Sequence, residues 1–408
     1  MSSTPTQLPE STLNSLKRQI ALLEEENQSL KNKKNRSATE QETSLARGVR
    51  KIVSFHVPLK SLVNENDRRE TADDDNEVGE GPPTLEDRAE QRERDRNYGS
   101  FKVLQRLFTP SFLQRVLEDP GFLDRLREWE KAGDDARGSD IKRLRDELAN
   151  WINIADHDDL LRPEDPSPGL LDPKSRSTRG YNNFLTGLLL CPISYDWRDP
   201  EIRCKIQNMD DEYPTHEQYL VRMLFAGYAT SPFNWKKGFL RATLLVRTYK
   251  HIFTSCNSAT HHVGEAASED SRPKKKRQRT TKEPTKRNVA SILGMTAVTA
   301  RSIAYAAVML HFNLTTAESW NMVVDGFNYT VFYDVIVDYF EGGKLASEEE
   351  IKDLLNWWNQ QVFGERVAVT SPTAGITHED NLARQELWKE CGQAAAAKAR
   401  ASLPAETL

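Results

Sequence analysis

The sequence contains little cysteine, and what it contains is not arranged for disulfides or for metal. Its four cysteines, Cys191, Cys204, Cys256 and Cys391, form no CxxC pair in a chain of 408 residues. Small secreted scaffolds are dense in cysteine, and structural zinc modules use closely spaced pairs. These absences predict a protein of a reducing compartment without a disulfide framework.

Several catalytic and targeting motifs are also missing. The chain has no GxxxxGK[ST] or GxGxxG phosphate loop and no GxSxG nucleophile turn. Its N-terminal segment lacks the charged and apolar regions of a secretory signal. We therefore predict no cofactor, and any chemistry has to be sought in clusters of ordinary side chains.

Neither sign of charge is in large excess. The chain carries 56 basic and 61 acidic residues, for a net charge of -5, so binding to nucleic acid would require a local basic patch. A mean hydropathy of -0.67 indicates that part of the chain buries no core. The 8 Trp, 15 Phe and 11 Tyr nevertheless require a hydrophobic core in which they are buried. We expect a folded domain interrupted by disordered segments.

Residues 1–34 contain a leucine-zipper-like pattern. Apolar residues and one asparagine follow each other at spacings of three or four: Leu16, Ile20, Leu23, Asn27 and Leu30. Such a seam is typical of a two-stranded coiled coil, in which a polar seam residue fixes the register. The seam is short, so we predict a weak homodimer. The alternative is a single amphipathic helix that docks on its own domain.

The remaining chain divides by composition. Residues 35–97 are poor in apolar side chains and contain the acidic run Asp73–Asp75, which predicts a disordered acidic linker. The exception is the stretch Val49–Val57, which is predicted to be a short strand or a docking peptide. Helical apolar spacing begins at residue 98. The predicted parts are a helical domain over 98–256, a disordered basic insertion over 257–288, the second part of the domain over 289–365, and an Ala-rich helical tail over 366–408.

Helix start and stop signals support an all-α, multi-helix globular domain. Ser139–Asp140, Asp199–Pro200 and Ser347 each read as a helix start, and Gly364 reads as a stop. Long helices are predicted over 235–253 and 289–312, and a further one over 327–340. Few segments have the alternation expected of strands.

The apolar stretch 289–312 has the length of a membrane span. Arg301 near its middle would cost about 2.5–3.5 kcal/mol on an insertion scale, so we predict a buried core helix and no membrane association. Trp357 and Trp358 are adjacent on a predicted helix, and their directions differ by about 100°. We expect one to enter the core and the other to lie at its edge, rather than a stacking platform for bases.

The strongest local signal is a basic run in the insertion. Residues 272–287 carry nine basic side chains and one acid, with the densest part formed by Lys274, Lys275, Lys276, Arg277 and Arg279. An extended basic segment is what a nuclear import receptor reads, which predicts a nuclear localisation signal. The same residues predict sequence-independent contact with nucleic-acid phosphates. The alternative is a solvated charged loop.

Two groups of side chains suggest metal sites. His251, Cys256, His261 and His262 lie close in sequence, but their spacing matches no zinc pattern. Asp325, Asp334 and Asp338, with Glu341 nearby, form the one enzyme-like constellation, which suggests a two-metal acidic site. Asp334 and Asp338 share a helix face, whereas Asp325–Gly326 reads as a turn. We expect ordinary solvated helix acids and no metal site.

Several runs in the C-terminal half resemble one protein family. They are KHIFTS from Lys250, RSIAY from Arg301, FYDVIVDYFE from Phe332 and LNWWN from Leu355. Together, over roughly 180–365, they resemble a large set of uncharacterised proteins of mushroom-forming basidiomycete fungi. The resemblance implies a shared fold and a fungal source, and it transfers no catalytic residue.

These patterns together predict a nuclear, non-enzymatic interaction or scaffold protein, associated with chromatin through its basic insertion. Its predicted partners are an import receptor, a second copy and nucleic acid. The alternative is a nucleic-acid-processing enzyme of mobile-element origin that uses the acidic constellation.

Overall fold

The computed structural model describes residues 39–71, 84–154, 165–229, 234–255, 288–342 and 345–364. These residues are mostly helical, with one two-stranded hairpin and two isolated bridges as their extended structure. The all-α prediction is confirmed.

The N-terminal part consists of a π-helical turn and helices, of which the turn and the longest helix pack on the central helix of the C-terminal part. After a helical stretch over 39–46 come a π-helical turn (Val49–Val53), α1 (Leu59–Thr71), α2 (Leu85–Phe108), α3 (Pro110–Leu117) and α4 (Phe122–Ile154). Thr84 begins α2 with a capping box, since its side chain accepts from Asp87 N and the Asp87 carboxylate accepts from Thr84 N.

The predicted disordered linker over 35–97 is wrong for the described residues 39–71 and 84–97. Val49, Val53, Phe55 and Leu59 are fully buried in the core. The average composition of 35–97 does not reveal these core residues, because the few apolar side chains are concentrated in one short stretch. Each contributes about 1.5–3 kcal/mol on burial.

Helix α4 runs unbroken through the predicted start at Ser139–Asp140. The Ser139 hydroxyl donates to the Asp135 carbonyl, as a mid-helix serine does, instead of capping a new helix. Asp140 is buried at 1% exposure and binds cations described below. The predicted helix start is therefore wrong: Asp140 binds residues that are distant in the chain instead of capping a helix.

The middle of the chain holds shorter helices: α5 (Phe184–Leu190), α6 (Pro200–Gln207) and α7 (Thr243–Phe253). The Asp199 side chain caps α6 with Pro200 at its first turn, as predicted. The helix predicted over 235–253 is helical only from Thr243. Before that point Gly238 and Leu240 have positive φ, which an α-helix does not tolerate.

The C-terminal part supplies the centre of the core. Its elements are α8 (Val289–Ile292), α9 (Ala300–Leu314), the hairpin strands β1 (Val323–Val324) and β2 (Phe327–Asn328), α10 (Tyr329–Glu341) and α11 (Glu348–Phe363). Every residue of α9 is buried, and this helix packs on α4, α7 and α10. The core therefore lies around α9.

Two predictions about these helices have different outcomes. The continuous helix over 289–312 is wrong, because Gly294 turns with φ 65° and Thr299 starts α9 with its own capping box. The limits of α11 are confirmed by the Ser347 capping box and by Gly364 in the left-handed conformation. No helix in the described ranges is long and apolar enough to cross a membrane.

Two buried arginines close the C-terminal end of α9. Arg179 Nη1 donates to the Asn313 carbonyl at 2.7 Å. Arg176 Nη2 donates to Asn313 Oδ1 at 2.9 Å, and its Nη1 donates to the Ala317 carbonyl in the loop that follows the helix, at 2.6 Å. The last carbonyls of a helix lack intrahelical partners and carry the negative end of its dipole, so cations are favourable there. The loop before α5 is thereby fastened to the central helix.

Candidate functional site

The acids of the enzyme-like constellation are bound by arginine. Asp334 and Asp338 lie on one face of α10, as predicted. Arg96 Nη1 contacts both carboxylate oxygens of Asp338, at 2.9 and 2.8 Å, and Arg96 Nη2 lies 3.3 Å from Asp334 Oδ2. His56 Nε2 lies 3.0 Å from Asp334 Oδ1. The expectation of solvated helix acids is wrong, because Asp338 is 3% exposed.

A second buried arginine extends this network. Arg301, in the central helix α9, makes a two-pronged ion pair with Glu341, with N–O distances of 3.1 and 2.9 Å. It also donates to the Val53 carbonyl at 2.7 Å and to Ser100. We call Arg92, Arg96, Arg301, Asp334, Asp338 and Glu341 the α2–α10 cluster, in which three arginines face three carboxylates.

The environments of the two aspartates shift their pKa values in opposite directions. Burial acts to raise the pKa of Asp334, but the charges of Arg96 and His56 outweigh it, and the net shift is downward. The pKa of Asp338 is raised by burial and by the neighbouring charge of Asp334, against the opposing effect of Arg96. Sharing one arginine between two carboxylates produces this division.

The third acid of the constellation does not join them. Asp325 lies with Gly326 in the turn between β1 and β2, where both have positive φ, which confirms the predicted turn. Among the described residues, no group of three or more His, Cys, Asp or Glu side chains is placed to hold a metal ion.

A cleft of about 350 Å³ opens beside the α2–α10 cluster. Its walls alternate in charge along α2 and the end of α10 and are formed by Asp87, Arg88, Gln91, Arg92, Asp95, Arg96, Asp338, Glu341 and Gly342. These side chains offer donors and acceptors but no nucleophile with an adjacent base. The cleft therefore presents hydrogen-bonding groups of both signs of charge.

A second charged cluster lies on α4. Asp134 Oδ1 accepts from Arg50 Nε at 3.0 Å and from Arg137 Nη2 at 2.8 Å. Asp140 binds Lys51, accepts from Arg143 Nη2 at 2.6 Å and accepts from the Tyr305 hydroxyl at 2.9 Å. We call Arg47, Arg50, Lys51, Asp134, Arg137, Asp140 and Arg143 the α4 cluster. It holds four arginines, Lys51 and two carboxylates, and burial together with the charges of Arg143, Arg47 and Arg137 lowers the pKa of Lys51 well below its usual value.

The α4 cluster depends on the close approach of the turn over 46–50 to α4. A Cβ added at Gly133 would lie 2.8 Å from Arg50 Cγ and 3.2 Å from Arg50 N. Gly133 therefore provides the space that brings Arg50 and Lys51 onto the helix.

His251 borders the α4 cluster on α7, the helix on which it was predicted. It is buried, and its ring meets Trp151 edge to face at 5.7 Å between centroids. Burial and the charge of Arg143 lower the pKa of His251 to about 4. The remaining members of the rejected metal group, Cys256, His261 and His262, lie outside the described residues.

The residues of the predicted localisation signal and of the predicted coiled-coil seam also lie outside the described residues: Lys274, Lys275, Lys276, Arg277 and Arg279 in the insertion, and Leu16, Ile20, Leu23, Asn27 and Leu30 at the N-terminus. The described chain stops at Ser255 and resumes at Asn288.

The two adjacent tryptophans of α11 have different environments. Trp358 is fully buried and donates to the Leu240 carbonyl, whereas Trp357 is partly buried. This confirms the prediction that one enters the core and the other lies at its edge.

Sequence reasoning did not find the partners of the acids. Arg96 lies 242 residues before Asp338, and Lys51 lies in the stretch that was predicted to be a short strand or a docking peptide. One signal was present: Arg88, Arg92 and Arg96 recur every four residues, which places them on one face of a helix.

Comparison with known proteins gives one match. No curated protein and no solved structure matches the chain significantly. The sequence profile of a family of unknown function, DUF6698, matches residues 131–363, which is more than half of the chain and includes α7, α9, α10 and α11. The chain belongs to this family of unknown function, DUF6698.

Proposed function

We propose that this chain is a nuclear, non-enzymatic interaction or scaffold protein that contacts chromatin, and that its family is one of mushroom-forming basidiomycete fungi. The fungal source rests on the sequence resemblance. The nuclear location rests on the basic run that starts at Lys274, which remains a prediction from the sequence.

The observation that carries the non-enzymatic reading is the pairing of Arg96 with Asp334 and Asp338. A two-metal site needs carboxylates that are available to bridge cations. Here an arginine occupies the space between the two carboxylates, and Asp325 lies in a hairpin turn. The alternative of a mobile-element nuclease therefore loses the constellation on which it was based.

The helices before and after the basic segment are fixed in the domain, which supports the proposal that the domain presents this segment as a localisation signal. Helix α7 leads into it, and all but two of its residues are buried, including Tyr249 and Phe253. The segment is followed by Asn288, which caps α8 by accepting from Ser291 N. Fixed ends on both sides keep the segment tethered to the core.

The seam of Leu16, Ile20, Leu23, Asn27 and Leu30 supports a weak parallel homodimer as part of the same proposal. Two copies would carry two basic segments, and a bivalent protein holds an extended partner more tightly than one copy does. Sedimentation of the full chain and of a fragment that starts at residue 39 tests this. If the full chain and the fragment both sediment with the mass of a single chain across the micromolar range, dimer formation is contradicted.

The nuclear proposal is tested with a fluorescent fusion of the full chain in fungal cells. Replacing Lys274, Lys275, Lys276 and Arg277 with Ala should move the fusion to the cytoplasm, because the import receptor loses its charged contacts. The matched control replaces Lys31, Lys33, Lys34 and Arg36, which removes the same charge elsewhere. Nuclear accumulation that survives both sets combined would overturn the proposal.

The enzyme alternative is tested by thermal unfolding with magnesium or manganese. A carboxylate metal site gains stability from the cation by mass action. We expect no rise in Tm for the wild type, because Arg96 already neutralises the acids. A metal-dependent rise that Asp334→Asn abolishes would restore the nuclease alternative.

A further inference from the structure

A small cavity lies between the residues that follow the π-helical turn and the helices α2, α9 and α10. Its volume of about 10 Å³ is close to the space that one water molecule needs inside a protein. Its walls include Ser54 and His56 after the turn, Arg301 of α9, and Tyr333 and Asp334 of α10. The cavity therefore lies where the N-terminal part meets the helices at the centre of the core.

The hydroxyl of Tyr333 is buried in the wall of this cavity. The residue is 3% exposed, and its ring stacks on Phe55 with 5.1 Å between centroids. Among the described residues, no donor or acceptor lies within hydrogen-bonding distance of the hydroxyl. Burial raises the pKa of Tyr333, so the hydroxyl keeps its proton. Because nearly all buried polar groups of proteins are hydrogen-bonded, this hydroxyl requires a partner inside the cavity.

The same cavity contains acceptors that can bind a bridging molecule. His56 Nε2 lies 3.0 Å from Asp334 Oδ1, and the two oxygens of a carboxylate together offer about four acceptor sites. The Ser54 hydroxyl accepts from Val57 N at 3.0 Å and has a second lone pair. A molecule that accepts a hydrogen bond from Tyr333 can therefore donate its own hydrogens to these two groups.

The charges around the cavity favour a neutral molecule over an ion. Arg96 and Arg301 line it together with Glu93 and Asp334, so the two signs balance. All five N–H groups of Arg301 are engaged, and their acceptors are the Val53 and Arg96 carbonyls, Ser100 Oγ and both carboxylate oxygens of Glu341. A halide would find no donor on Arg301 and would lie beside two carboxylates. A metal cation would lie beside two arginines.

We propose that this cavity binds one structural water molecule, which accepts a hydrogen bond from the Tyr333 hydroxyl and donates to Asp334 and Ser54. Buried waters typically make about three hydrogen bonds, to polar groups that otherwise lack partners. The side chains of His56 and Asp334 are 22% and 18% exposed, so water reaches the site from solvent beside them.

The proposed water connects two parts of the chain that the family comparison separates. Ser54 lies before the matched residues 131–363, whereas Tyr333 and Asp334 lie within them. The water is thus part of the contact between the N-terminal part and the family domain. This inference does not depend on the proposed nuclear function, because it concerns the packing of the domain and not its location or partners.

The direct test is a high-resolution crystal structure of the full chain, grown with bromide as the halide. We expect one ordered water about 2.5–3.0 Å from Tyr333 Oη and no anomalous signal from bromide in the cavity. Three results would overturn the inference: bromide at the site, a cavity without electron density, or a Tyr333 hydroxyl that is bonded directly to a protein group.

Thermal unfolding of the full chain gives a second test, in which the sign of the change is decisive. Tyr333→Phe should lower Tm by about 2–4 °C, because the hydrogen bond to the water is lost. If no water is bound, the same change removes an unpaired hydroxyl from the core, and Tm should stay constant or rise. The matched control is Tyr98→Phe on α2, which keeps the ring that Arg69 and Lys102 contact and should change Tm by less than about 1 °C.

A variant that fills the cavity tests whether the hydroxyl and the space belong to one site. Val337 is fully buried, lines the cavity, and lies one turn after Tyr333 on α10. Val337→Ile adds a methyl group that displaces the water, so it should also lower Tm. The loss for the double variant with Tyr333→Phe should be smaller than the sum of the two single losses, because both changes remove the same hydrogen bond. Additive losses, or a higher Tm for Val337→Ile, would contradict a bound water.

Discussion

The two charged clusters of this domain are built from the same residue types and differ in balance. In the α2–α10 cluster, three arginines face three carboxylates, and Arg96 serves both Asp334 and Asp338. In the α4 cluster, Asp134 and Asp140 are shared by Arg50, Arg137, Lys51 and Arg143, with Arg47 close enough for its charge to act on Lys51. A balanced network pairs its buried charges, whereas in an unbalanced one the cations also repel one another.

The balance also decides what a single substitution does. Removing one partner of a buried ion pair leaves a charge that is neither hydrated nor neutralised. Removing a cation from a cluster in which cations outnumber carboxylates reduces the repulsion between the remaining cations. Each carboxylate still keeps a partner. Four predictions test this difference, from the largest expected effect to the smallest.

Arg96→Ala should lower the free energy of unfolding by about 3–5 kcal/mol, because it leaves Asp334 and Asp338 buried side by side without their common cation. Urea denaturation measures the change. The control is Arg94→Ala on the same helix, where an exposed pair with Glu90 is worth about 0.5 kcal/mol or less. Equal losses in the two variants would mean that the α2–α10 cluster does not stabilise the fold.

Gly133→Leu should cost up to about 3 kcal/mol, because the new side chain meets Arg50 and pushes the turn over 46–50 away from α4. Gly138 in the same helix has no atom within 4 Å of an added Cβ. Gly138→Leu should therefore stabilise by about 0.5–1 kcal/mol through helix propensity. Thermal unfolding of both variants checks the opposite signs, and a stabilised Gly133→Leu would contradict the close approach.

Acid should destabilise the domain through His251. Its folded-state pKa of about 4 lies below the ordinary value of 6.5, so the unfolded state binds more protons in this window. The stability is fully present above pH 6.5 and is lost as the pH falls towards 4. At pH 5 the loss from this residue should be about 2 kcal/mol.

His251→Phe should remove that part of the pH dependence while keeping a ring against Trp151. Arg143→Gln should reduce it, because one repelling charge beside the imidazole is gone. Urea denaturation at pH 7.5 and at pH 5 measures both, with Arg127→Gln as the control that keeps the wild-type slope. A His251→Phe variant as acid-sensitive as the wild type would contradict the assignment.

Arg143→Gln should change the stability at neutral pH by less than about 1 kcal/mol, because Asp140 keeps Lys51 and Tyr305 as partners. This is the counterpart of Arg96→Ala in the unbalanced cluster. Denaturation of the two variants under one condition gives the comparison directly, and a loss as large as that of Arg96→Ala would show that the α4 cluster has no charge to spare.

The sequence was most informative where local chemistry decides the structure. The caps at Asp199 and Ser347, the stop at Gly364 and the turn at Asp325–Gly326 all involve hydrogen bonds or φ angles within a few residues. The division of Trp357 and Trp358 follows from helix geometry. Each of these was predicted correctly.

The sequence was least informative where distant residues meet. No residue near Asp338 in the sequence indicates that Arg96 is its partner. Ser139–Asp140 was interpreted as a helix cap because Lys51, the buried partner of Asp140, is far away in the chain. The stretch around Phe55 is short enough for its charged neighbours to dominate the composition. Whether a cluster of acids binds metal or arginine is decided by the fold, which local patterns do not encode.

The hydrogen bond from Arg301 to the Val53 carbonyl has a consequence for synthesis on the ribosome. The two residues are 248 positions apart, so at 5–20 residues per second Val53 is made roughly 12–50 s before its partner. During that interval Phe55 lacks Tyr305 of α9, whose ring it contacts edge to face in the folded domain. The growing chain therefore leaves part of this apolar stretch uncovered, and the domain completes its folding only after the C-terminal helices have emerged.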